Sequence, residues 1–68
     1  MRWFIKIKNY MGPGEDYYCD WGGFKTTDDL NKAYKALEKI QRSGASWASS
    51  CLIEEYTGQI FNGKPLFE

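Results

Sequence analysis

The groups in this chain with the chemistry for nucleophilic or acid–base work are few. They include the thiols of Cys19 and Cys51, the hydroxyls of Ser43, Ser46, Ser49 and Ser50, and the adjacent carboxylates Asp28–Asp29 and Glu54–Glu55. The chain contains no histidine, so none of the nucleophiles has an imidazole base to activate it. A zinc site needs about four ligands, and with no histidine and no CxxC pair the sequence offers no set of them. The carboxylate pairs have structural explanations, one as a helix start and the other as a wet strand end. The segment Gly58-Gln59-Ile60-Phe61-Asn62-Gly63-Lys64-Pro65 approximates the phosphate loop GxxxxGK[ST]. Its last position is Pro65, which has no hydroxyl for a metal ion, and Asn62-Gly63 reads as a hairpin turn instead. The expectation is a chain without catalytic residues, metal or cofactor.

What the sequence supplies in quantity is contact surface. Its 68 residues include three Trp, five Tyr and four Phe. Each such side chain can bury roughly 150–250 Å². A chain of this length is expected to form a single domain, spanning 1–68, with a small core. Nine basic and nine acidic residues leave no net charge. The long-range field that draws basic proteins to nucleic acid or anionic membranes is therefore missing. No stretch reads as a membrane span or secretory signal, since Lys6 interrupts the apolar start Trp3-Phe4-Ile5. A cytoplasmic protein with two reduced, buried thiols is the matching expectation.

These side chains must be positioned by elements that the periodicity marks out. Trp3 to Tyr10 alternates as a strand, with Trp3, Ile5 and Ile7 on one side and Phe4, Lys6, Lys8 and Tyr10 on the other. Met11–Asp16 reads as an exposed acidic loop, and Tyr17–Trp21 as a second strand with Tyr18 and Asp20 facing away from Cys19. A helix follows. Thr26 is its predicted N-cap and Asp29 a capping-box partner; Leu30, Ala33, Tyr34, Leu37 and Ile40 form its apolar stripe, and Ser43-Gly44 its end. Asp28→Lys32 and Glu38→Arg42 are spaced as acid-to-base pairs on its wet side. Trp47–Tyr56 reads as a third strand, with Trp47, Cys51 and Ile53 inward and Leu52, Glu54 and Tyr56 outward. A short fourth strand begins at Gln59-Ile60-Phe61, and Pro65 makes the tail an edge segment.

The predicted fold is α+β, in the order β-β-α-β-β: a four-stranded antiparallel sheet of strand order 2-1-3-4 with the helix on one face. Cys19 and Cys51 then lie on strands that are not neighbours, which disfavours a disulfide. Trp3, Tyr17, Trp21, Phe24, Tyr34 and Trp47 are assigned to the core under the helix. The opposite face carries Phe4, Lys6, Lys8, Tyr10, Tyr18, Leu52, Glu54 and Tyr56, with Glu54 close enough to Lys6 or Lys8 to neutralise them.

That outer face, together with Glu15 and Asp16 of the loop, is the candidate partner-binding surface. Aromatic side chains are enriched at protein interfaces, and neutrality is no obstacle there. The alternative is a single-stranded nucleic-acid or nucleotide binder that stacks bases on Phe4 and Tyr18 beside Lys6 and Lys8. A homodimer paired along the strand-four edge beyond Phe61 is a further expectation, the other being a monomer.

Gly22-Gly23-Phe24-Lys25-Thr26-Thr27-Asp28-Asp29-Leu30 resembles the strand-to-helix junction of the arm-type DNA-binding domain of phage integrases, where a GFKT turn also precedes a helix. That family has three strands before its helix and this chain two, so DNA binding is not carried over. As a short, Cys-poor, aromatic-rich chain it also resembles the small accessory proteins of phages and mobile elements, anti-CRISPR proteins among them. That resemblance implies a non-enzymatic inhibitor that occludes a surface of a host complex.

Overall fold

In the computed structural model, which describes residues 1–61 and 64–66, a three-stranded antiparallel sheet carries one helix on one face. Strand β1 (Trp3–Gly12) is central, flanked by β2 (Glu15–Cys19) and β3 (Cys51–Glu55). The order 2-1-3 is the one expected. The fourth strand does not extend it. Strand β4 (Ile60–Phe61) pairs instead with β5 (Lys64–Pro65) as a separate two-stranded ribbon. Gly58, at φ 95°, turns the chain away from β3 before β4 begins. The expected Asn62-Gly63 turn and the tail beyond Leu66 lie outside the described residues.

Helix α1 (Leu30–Gln41) starts later than its predicted cap. Asp29 is the N-cap: its Oδ1 accepts the amides of Asn31 at 3.0 Å and Lys32 at 3.3 Å. Thr26 has another duty. Its buried hydroxyl accepts the Arg2 Nε–H at 2.8 Å, while Thr27 exchanges backbone hydrogen bonds with Trp3. A tertiary tie to the start of β1 has thus taken the residue that local pattern assigns to the cap. Asp28 therefore precedes the helix, and Lys32 rests its ammonium 5.5 Å from the centre of the Phe24 ring. The Glu38–Arg42 pair forms as expected, at 3.6 Å.

The core under the helix is built from small and aliphatic side chains. Ile5, Ile7, Cys19, Ala36, Ile40, Ala48 and Cys51 form it, with Phe24, Leu37, Trp47 and Ile53 packed at its margin. The aromatic filling expected there is corrected. Trp21 and Tyr34 are 53% and 58% exposed. Trp3, Tyr17, Phe24 and Trp47 are half-buried. The approach of α1 to the chain after β2 is too close for large rings: a Cβ on Gly22 would stand 2.4 Å from the Ala36 Cβ. Trp47 also leaves the strand pattern, because Ala48–Ser50 form a 3-10 turn and β3 begins only at Cys51. Both cysteines are free and buried, on strands separated by β1. Among the described residues no helix is long and apolar enough to cross a membrane.

Candidate functional site

The alternation of β1 turns Phe4 and Lys6 away from the helix. In register, Lys6 sits between Tyr18 of β2 and Leu52 of β3, and Phe4 lies opposite Glu54. This outer face is not open. Phe61 of β4 lies 5.5 Å from Phe4 and Tyr56 lies 6.2 Å from it, both edge-on, and Phe4 is completely buried. Phe61 also meets Tyr17 at 6.4 Å and Tyr18 at 6.1 Å. The strand that failed to join the sheet lies across its outer face, so Phe4 supports that ribbon and presents no ring to solvent. Tyr18, Glu54 and Tyr56 remain half-buried.

Lys6 is equally committed. Its Nζ lies 2.7 Å from Glu54 Oε1 and 3.5 Å from Asp16 Oδ2. The hydrogen bond to Glu54 holds the ammonium above its ordinary value of 10.5, against the effect of burial. Lys8 is exposed.

Tyr10 does not share the outer face with Lys6. Asn9 takes a left-handed conformation, φ 58°, and the β1–β2 register shifts between Ile7 and Gly12. Between those two pairs β1 runs through residues 8–11 and β2 through Asp16 alone, and an odd excess of residues reverses the side-chain parity. Tyr10 consequently stacks on Tyr17 at 5.7 Å and meets Trp47 edge-on at 6.2 Å. The bulge is locked by its own side chain and by Asp16: Gly14 N–H donates to Asn9 Oδ1 at 2.7 Å, and Asn9 N–H donates to Asp16 Oδ1 at 3.0 Å. That backbone bond, with Lys6 and Lys8 nearby, holds the Asp16 carboxyl below its ordinary 3.8. The loop expected over Met11–Asp16 is accordingly shorter. Strand pairing continues to Gly12 opposite Glu15, leaving Pro13-Gly14 as the turn.

Two surfaces result. The first is a shallow groove of about 550 Å³ between the hairpin tip, β3 and β4. Among the described residues, Glu15, Asp16 and Glu54 line it with the ammonium of Lys6, and Ile60 and Phe61 form an apolar wall. Gln59 closes its end, donating to Glu54 Oε2 at 3.2 Å and to the Glu55 carbonyl at 2.9 Å. Glu15, Asp16 and Glu54 are expected residues of the contact surface; Gln59, Ile60 and Phe61 are additional to that expectation. The adjacent apolar pair Ile60-Phe61, in a strand too short to alternate, was the available signal.

The second is a rim of rings. Trp21 meets Trp47 at 4.7 Å, Trp47 meets Tyr10, and Tyr10 stacks on Tyr17, which continues through Phe61 to Phe4 and Tyr56. This path of aromatic contacts runs from the helix side of the sheet to its outer side. Trp21 and Tyr10, at 53% and 46% exposed, present it to solvent. Each of the two rings packs against a neighbouring ring, Trp21 on Trp47 and Tyr10 on Tyr17 and Trp47.

The thiols are ill suited to reaction. Burial, with Cys19 nearby, pushes the Cys51 thiol up to about 11, and burial raises Cys19 as well. Among the described residues, no three His, Cys, Asp or Glu side chains are grouped to hold a metal ion. Comparison with protein-family models, with curated proteins and with solved structures finds no match.

Proposed function

We propose that the chain is a small non-enzymatic protein-binding module that engages its partner through the Tyr10–Trp21 rim and the adjoining acidic groove of Glu15, Asp16 and Glu54. The observation that carries this reading is the half-exposure of Trp21 and Tyr10 while neighbouring rings pack against them. Large rings with few torsions bind with little loss of side-chain entropy, and Trp and Tyr dominate interface energetics for that reason. In this reading the module acts by covering a surface of its partner, in the manner of the small phage and mobile-element proteins it resembles. Single-stranded nucleic-acid binding has less support, because the ring best placed for stacking, Phe4, is buried and the Lys6 ammonium is paired with Glu54 and Asp16.

Affinity capture from lysate of the source cells tests the proposal, with a Trp21→Ala/Tyr10→Ala variant and a Tyr34→Ala control. A stoichiometric protein retained by the wild type and the control, and lost by the double variant, is the expected result. Absence of any stoichiometric partner, or equal loss from variant and control, contradicts it.

A further inference from the structure

Because β4 leaves the sheet, β3 is its terminal strand, and no described strand lies beyond it. Which backbone groups this exposes follows from the ladder. Tyr56 N–H donates to the Arg2 carbonyl at 2.8 Å, so in the antiparallel pairing Glu54 and Leu52 also direct their amides and carbonyls toward β1. Trp3 confirms the alternation by exchanging its hydrogen bonds with Thr27 on the opposite side. Cys51, Ile53 and Glu55 therefore point theirs outward. Two of these six groups are occupied within the chain: the Cys51 amide donates to the Ala48 carbonyl, and the Glu55 carbonyl accepts from Gln59. Among the described residues, the groups left open at the edge are the Ile53 amide and carbonyl, the Cys51 carbonyl and the Glu55 amide.

This set is self-complementary. We propose that β3 pairs antiparallel with β3 of a second copy, with Ile53 on the two-fold axis, joining two three-stranded sheets into one of six strands. Ile53 exchanges two hydrogen bonds with its counterpart. Each Glu55 amide donates to the Cys51 carbonyl of the other copy, making four bonds; the Cys51 amide and Glu55 carbonyl, which a full ladder would pair with each other, are already occupied within the chain. Side chains agree with it: Leu52 lies opposite Glu54 of the other copy, and Cys51 opposite Glu55, so no like charges face each other. A slip toward the carboxyl end sets Glu54 against itself. A slip toward the amino end runs into the 3-10 turn at Ala48–Ser50 and loses two of the bonds. The edge has no Pro, no Lys and an unbroken register with β1, and its two carboxylates, Glu54 and Glu55, face Leu52 and Cys51 in this pairing. The other sheet edge, β2, is guarded, since the equivalent pairing centred on Tyr18 places Asp16 opposite Asp20.

Sedimentation velocity on the wild type, Leu52→Glu and Leu52→Lys, up to about 1 mM, tests this pairing. Within one chain Leu52 neighbours Lys6, so glutamate there is attracted and lysine repelled; across the proposed axis each faces Glu54 and the preference reverses. The wild type is expected to form dimers and no larger species, Leu52→Lys to keep them, and Leu52→Glu to associate about tenfold more weakly. Hydrogen exchange on the unmodified chain supplies a readout independent of mutation: the Ile53 and Glu55 amides gain protection with rising concentration while the Tyr18 amide does not. A wild type that stays monomeric, growth beyond the dimer, equal weakening by both substitutions, or concentration-independent exchange at Ile53 each overturns the pairing.

Discussion

The ring of Phe61 lies 5.5 Å from that of Phe4, inclined at 62°, and this contact joins the short β4–β5 ribbon to the sheet it does not extend. Phe4 is fully buried and Phe61 half-buried. Phe4→Ala is expected to cost about 3–5 kcal/mol, the range for a buried Phe, and Phe61→Ala roughly 2 kcal/mol. Urea unfolding measures both. The double variant should lose less than the two losses added, since each ring is the other's partner.

Gly22 is required for closeness and not for turning. A Cβ there meets the Ala36 Cβ at 2.4 Å and the Phe24 ring at 3.0 Å. Gly22→Ala is expected to destabilise by about 1–3 kcal/mol through overpacking. Ala36→Gly in the same chain should recover part of that loss, which thermal unfolding of the single and double variants would show.

Acid and alkali should weaken the fold through different groups. Asp16 has a lowered folded value, so its contribution is present above pH 3.8 and disappears as pH falls through the folded value. Asp16→Asn should flatten the acid limb of a stability–pH curve. Lys6 is raised, so its contribution is whole below pH 10.5 and is lost as pH rises beyond that.

Cys51 adds an earlier alkaline loss. Its thiol stays protonated to about 11 in the fold but ionises near 9.0 when unfolded. Stability should therefore fall between pH 9 and 11, by on the order of 2 kcal/mol from this group. Cys51→Ala should reduce that slope in denaturant titrations at stepped pH. At pH 8 the native thiols should react with a disulfide reagent far more slowly than unfolded ones.

Much of the architecture was legible in residue order. Alternation in Trp3–Ile7 placed β1 centrally, the thiols fell on separated strands, and Glu54 lay close enough to reach Lys6. The failures have local causes. A bulge over residues 8–11, with Asn9 left-handed, reversed the facing of Tyr10, and period-two reasoning cannot see it. Thr26 has the chemistry of a cap, but Arg2, 24 residues away, claims its hydroxyl. Trp21 and Trp47 resemble core residues by type, yet they lie in turns, and the helix approaches the chain at Gly22 closely enough to meet it with Ala36. Ile60-Phe61 is too short to carry a facing of its own, so its closure over Phe4 depended on tertiary packing.

Photo-crosslinking tests most directly whether the rim carrying Trp21 meets a protein partner. With p-benzoylphenylalanine placed at position 21, irradiation in lysate of the source cells should give one dominant protein adduct. The same group at position 34, on the exposed Tyr34 of α1, should give none. No adduct from position 21, or the same adducts from both positions, would contradict the claim.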